Sequence, residues 1–190
     1  MTIACGLFLA LPLAVSAQVS PLQVEVNFGV GVPVQEFSGP GGFEGEAGEG
    51  TTLGVHFALS TRSYLTWYVG FSQHRFGCTD AGCLAVDDLV TTSWDLGARV
   101  NLLSGPVIPW VSVGVVSHLA EFDEASVPTV RRESERGWGF EGGAGLMITV
   151  APRIAINPGI RYSKVTTGLD GSRDLEMRFL SIDLGFVLGF

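Results

Sequence analysis

The side chains in this 190-residue sequence that could do chemistry are few and far apart. His56, His74 and His118 are the three histidines, and Gly137-Trp-Gly-Phe-Glu-Gly142 is a literal G-x-G-x-x-G. Such a run holds a dinucleotide phosphate only where it opens a helix, whose N-terminal amides meet the anion. Here it is followed by Gly143-Ala-Gly-Leu-Met-Ile-Thr-Val150, which alternates like a strand, so nucleotide binding is not expected. Cys78 and Cys83 are separated by four residues; two thiols with no adjacent His or Cys make a poor metal site. In an exported chain this spacing points instead to a local disulfide, which would stabilise its loop by about 2 kcal/mol. Single charges, Glu25, Asp95, Arg99, Glu141, Arg161 and Asp183, interrupt otherwise apolar or small-residue stretches. No catalytic, cofactor-binding or metal-ligating residues are assigned.

The stretches that carry those charges share one pattern. Leu180, Ile182, Leu184, Phe186, Leu188 and Phe190 occupy one face of the final segment, while Ser181, Asp183, Gly185 and Gly189 occupy the other. A period of two means an extended strand, because successive side chains point to opposite faces. The alternation occurs eight times. It begins with Leu22, Val24, Val26, Phe28, Val30, Val32 and Val34 against Gln23, Glu25 and Asn27. It recurs from Leu53, Leu65, Trp94, Val111, Trp138 and Ile154, and the last repeat ends on Phe190. Composition agrees: 46% of residues are hydrophobic and 26 are glycine, yet past residue 17 no stretch reaches the ~18 apolar residues of a membrane-crossing helix.

Connections between the repeats alternate in length. Residues 38–50, 77–88, 120–137 and 166–174 are long and polar; 61–64, 103–107 and 151–153 are short. The long connections together carry −9, against −8 for the whole chain, so the net charge resides in the loops and a nucleic-acid partner is not expected. At the start, Leu7 to Val15 is a short apolar run and Val15-Ser-Ala17 a small-residue cleavage pattern, although Met1 to Gly6 carries no Lys or Arg. Residues 1–17 are therefore assigned as a signal peptide and 18–190 as the folded domain.

A soluble barrel and a membrane barrel share this period, and the less apolar face separates them. That face is mostly Gly, Ser, Thr, Ala and Asn, too sparsely charged for a water-facing surface, where about 25–35% of residues carry charge. It suits a narrow lumen filled by side chains. The opposite face carries no charge through the middle of any strand, as a bilayer demands when Lys or Arg at its midplane costs about 2–4 kcal/mol. The fold class is all-β: an eight-stranded antiparallel up-and-down transmembrane β-barrel with short periplasmic turns and long extracellular loops.

The terminal alternation ending in Phe190, with Trp94-Asp-Leu-Gly-Ala-Arg-Val-Asn-Leu102, Pro109-Trp-Val-Ser-Val-Gly-Val115, Phe140-Glu-Gly-Gly-Ala-Gly145 and Gly159-Ile-Arg-Tyr162, resembles the small eight-stranded bacterial outer-membrane barrels of the OmpA, OmpX and OmpW type. The resemblance implies localisation in a Gram-negative outer membrane, contact with lipids and lipopolysaccharide, and a monomeric state. It also implies that Phe186, Leu188 and Phe190 are the signal read by the barrel-assembly machinery. Outer-membrane lipid deacylases have similar architecture but carry a His-x-Ser pair, which neither His74-Arg-Phe76 nor His118-Leu-Ala120 provides. The expected function is structural or surface-interacting with a narrow or closed lumen, ahead of a channel for small or hydrophobic solutes and of a lipid-modifying enzyme. Glu25, Asp95, Arg99, Glu141, Arg161 and Asp183 are expected to form a mutually paired lumen network. The acidic loops could bridge through divalent cations to lipopolysaccharide. Parity also places Glu176 and Arg178 on the lipid side, and twelve residues of tilted strand climb about 28–30 Å, which brings Arg178 to the outer headgroups.

Overall fold

The computed structural model describes residues 20–34, 47–78, 88–123, 131–169 and 173–190. The assigned signal peptide, Cys83, and the loop acids Glu44, Glu46, Asp80, Asp87, Glu124 and Asp170 lie outside the described residues. Cys78 ends a strand.

The strands are β1 (Leu22–Pro33), β2 (Ala47–Arg62), β3 (Leu65–Cys78), β4 (Asp88–Asn101), β5 (Val107–Asp123), β6 (Arg131–Glu133), β7 (Gly137–Ala151), β8 (Ile154–Leu169) and β9 (Arg173–Gly189). Eight of them form the wall, each antiparallel to its neighbours, in the order β4-β3-β2-β1-β9-β8-β7-β5. Pairing of β4 with β5 closes the ring. β6 is a three-residue strand that extends the wall beyond β5, with Glu121 opposite Glu133. The seam between the ends of the chain is continuous from Gln23 opposite Gly189 to Pro33 opposite Phe179. Each of the eight wall strands is thus paired on both sides, as spanning a membrane requires, since unpaired backbone groups have no water to bond there.

The wall strands run 12 to 17 residues, longer than their alternation. Residues 120–123 and 166–169, expected as loop, continue β5 and β8. Alternation in composition stops where the bilayer stops, whereas backbone pairing does not depend on how apolar the side chains are. The turns at the opposite end are tight. Ser63 and Tyr64 link β2 to β3, and Pro152 and Arg153 link β7 to β8, with Arg153 at φ +115°.

The two faces separate as bilayer and lumen. Phe57, Trp67, Trp94, Val113, Trp138, Phe140, Ile160 and Ile182 point outward and are exposed, Trp138 at 68%. Inside, the lumen is layered. Ile108, Trp110, Met147, Ala155 and Val187 pack together toward the short turns. Phe76, Leu89, Val116, Ala120, Val165, Met177 and Phe179 pack together toward the long connections. The six sparse charges lie between these two apolar plugs. The inner face, expected to be mostly Gly, Ser, Thr, Ala and Asn, carries large apolar side chains at both ends of the lumen. A single inward Phe or Met costs nothing where it meets others across the narrow barrel.

Candidate functional site

Parity places the six charges. Glu25 on β1, Asp95 and Arg99 on β4, Glu141 on β7, Arg161 on β8 and Asp183 on β9 all occupy inward positions. Glycines on the same face make room for bulky partners. A Cβ at Gly97 would overlap the ring of Tyr68, one at Gly70 would lie 2.6 Å from Asp95 Oδ2, and one at Gly145 would lie 2.5 Å from the Trp110 indole.

The charges form two clusters. Arg99 donates through Nη1 to Glu25 Oε2 at 3.1 Å and through Nη2 to Gln23 Oε1 at 3.2 Å. The other Glu25 oxygen accepts from Asn157 Nδ2 at 2.8 Å, and Asn157 Oδ1 accepts the Trp110 indole N–H at 2.6 Å. The Arg99 guanidinium also lies 5.7 Å from the Trp110 ring centroid, within cation–π range. In the second cluster Tyr68 donates to Glu141 Oε1 at 2.8 Å, and Arg161 Nη1 approaches the same oxygen at 3.9 Å. His56 Nε2 sits 3.0 Å from Asp95 Oδ2 and 3.1 Å from Arg161 Nη1. One ring nitrogen can donate to the carboxylate or accept from the guanidinium, not both, so the tautomer of His56 decides which contact is a hydrogen bond. Asp183 accepts from Ser181 at 2.8 Å.

Asp95 and Arg99 do not pair with each other. Two inward positions on one strand are separated by four residues, roughly 13 Å along the backbone, and each side chain reaches a different strand across the lumen instead. The sparse-charge pattern overlooked the neutral members of both clusters: Gln23, His56, Tyr68, Trp110 and Asn157. All stand at inward parity on their strands, and that was the available signal.

His74 and His118 stack at 5.7 Å between ring centroids inside the apolar plug, with Phe179 4.8 Å from His74. His74 Nδ1 meets Thr52 Oγ1 at 3.0 Å, while neither ring nitrogen of His118 has a hydrogen-bond partner among the described residues. Two internal cavities of about 10 and 20 Å³ adjoin the charged layer, each the size of a water molecule. Among the described residues, no three His, Cys, Asp or Glu side chains converge to hold a metal ion.

The terminal residues are on the outside. Phe186, Leu188 and Phe190 are 45–56% exposed, and Phe186 stacks on Phe28 of β1 at 6.0 Å across the closing seam.

A closed antiparallel barrel, apolar outside and packed with charge and ring systems inside, defines a transmembrane β-barrel. The profile of the outer membrane protein beta-barrel domain matches residues 3–190, and the chain belongs to that family; it is an integral protein of the Gram-negative outer membrane. Among solved structures, Neisserial surface protein A superposes with a TM-score of 0.70 at 14% identity, covering 91% of this chain and 99% of that one. OprG from Pseudomonas aeruginosa gives 0.62 at 13% identity, with 90% and 98% covered, and AlkL gives 0.51 at 18%, with 92% and 94% covered. These likenesses establish a common fold. No curated protein sequence matches the chain.

Proposed function

We propose that this protein is a structural or surface-presenting barrel with a closed lumen, and not a conduit for solutes. The observation that carries this reading is the pair of apolar plugs enclosing the charged layer. A solute moving along the axis would have to displace Phe76, Met177 and Phe179 at one end and Trp110 and Met147 at the other, all 5% exposed or less. It would also have to break Glu25–Arg99 in the middle. The wall would then serve to hold the acidic connections at the cell surface, in keeping with the word surface in the name of one structural relative.

The same reading keeps the protein monomeric, takes Phe186, Leu188 and Phe190 as the handle for the barrel-assembly machinery, and takes Cys78–Cys83 as a disulfide in the second long connection. Planar-bilayer recordings of the refolded protein are expected to show no discrete conductance. Stepwise openings would replace the closed barrel with a channel. Incubation with labelled lipopolysaccharide is expected to leave its acyl chains in place, and any acyl loss would identify a lipid-modifying enzyme.

A further inference from the structure

Lys164 on β8 and Arg178 on β9 are direct cross-strand partners on the lipid-facing side of the barrel. Like charges placed opposite each other in a sheet repel and destabilise the pair. Here they flank one carboxylate, Glu176, whose oxygens meet Lys164 Nζ at 3.6 Å and the Arg178 guanidinium. Each of the three side chains is about a third exposed.

Depth and neighbours say what those surroundings are. In the same row around the barrel lies Phe140, opposite Lys164 on β7. One lipid-facing step toward the membrane centre lie Tyr162 and Leu180, which are paired, and the next step holds Ile160 and Ile182, both exposed. The cations therefore stand at the upper margin of the apolar band, where headgroups begin, with a smooth apolar track beneath them. A guanidinium has five N–H donors in a planar fork and an ammonium three, together more than the oxygens of one carboxylate can accept. A phosphate, with up to two negative charges, relieves the Lys164–Arg178 repulsion in a way that a single carboxylate does not.

We propose that Lys164 and Arg178 form a binding site for a phosphate of lipid A, the phosphorylated anchor of lipopolysaccharide in the outer leaflet. An acyl chain of that lipid runs down over Tyr162, Leu180, Ile160 and Ile182, and Glu176 competes with the phosphate for the two cations. The acidic connections repel phosphate, so attraction falls to outward basic side chains such as this pair.

The test uses the full-length refolded barrel in detergent micelles with chelator present, and native mass spectrometry counts the bound lipid A. Wild type is expected to retain one bis-phosphorylated lipid A and not its dephosphorylated form. The Lys164→Ala/Arg178→Ala variant, shown to be folded by heat-modifiable gel mobility, is expected to bind at least about tenfold more weakly, the effect of losing charge-assisted hydrogen bonds. Should that variant fail to fold, Glu176→Gln decides the matter: it removes the competing carboxylate and is expected to raise retention. Equal retention by the double alanine variant, lower retention by Glu176→Gln, or equal binding of phosphatidylglycerol would each overturn the assignment. Binding absent with chelator and appearing only in a parallel run with divalent cations would overturn it in favour of the acidic connections.

Discussion

Arg99 and Glu25 join β4 to β1 through the centre of the lumen, Nη1 to Oε2 at 3.1 Å, with 6% of each side chain exposed. In a wall held by backbone ladders, this contact ties together strands that do not neighbour one another. Replacing Arg99 by Ala leaves the Glu25 carboxylate buried beside Asn157 without its cation. A cost of about 3–5 kcal/mol is expected, read as a lower urea midpoint for the refolded barrel. Glu25→Gln combined with Arg99→Met removes both charges and is expected to recover most of that loss. A double variant as unstable as the single one would show that the contact is not an isolated pair.

Gly97 lies against Tyr68 and the carbonyl of Val113, whose oxygen is 2.6 Å from where a Cβ would stand. Gly97→Ala is expected to destabilise the barrel by about 1–3 kcal/mol, as overpacking does. Adding Tyr68→Phe removes the clash with the hydroxyl but leaves those with the ring carbon and the carbonyl, and it deprives Glu141 of its hydrogen bond, so little recovery is expected. Full recovery would place the strain entirely on the tyrosine.

His118 is fully enclosed, and its two ring nitrogens bond to no group among the described residues. A buried polar group without a partner costs about 1–3 kcal/mol, and an apolar ring of similar shape avoids that cost. His118→Phe is therefore expected to leave stability unchanged or raised. His74→Phe, which gives up the contact with Thr52, is expected to gain less. A lowered urea midpoint for His118→Phe would reveal a partner, such as an internal water, that supports the imidazole.

Of the four tryptophans, Trp67, Trp94 and Trp138 are 49–68% exposed on the lipid face, and Trp110 is 4% exposed in the lumen. Single-tryptophan variants in vesicles containing brominated lipids are expected to separate accordingly. Fluorescence of the first three falls, and that of Trp110 persists. Quenching of Trp110 would mean that the β5 face assignment is reversed.

The strands and their faces were legible because the bilayer imposes a strict parity: an outward Val113 or Phe140 and an inward Glu141 differ by one residue in register and by their whole environment. The same parity placed Glu25, Arg99 and Asp183 inside. It could not choose their partners, because the reach of Arg99 to Glu25 depends on which strands face each other across the lumen, a property of the closed ring. Nor did it separate the apolar plugs from the wall. Phe76, Met177 and Phe179 sit at inward parity but beyond the reach of the tidy alternation, and hydrophobicity alone would have sent them to the lipid. Trp110 was obscured similarly by its place just before the regular valine series of β5.

The seam in which β1 lies against β9 sets a condition on how this molecule comes into being. Gln23 finds its partner in Gly189, so one of the first strands to leave the ribosome must wait for the last. Until then β1 presents a bare edge and a column of Val26, Phe28 and Val30 with nothing to cover it, a state inviting association with any other strand. The chain therefore has no intermediate length at which it is finished: shortened from its carboxyl end, it keeps most of its pairings but remains an open sheet, and the membrane can accept it only as a complete circle.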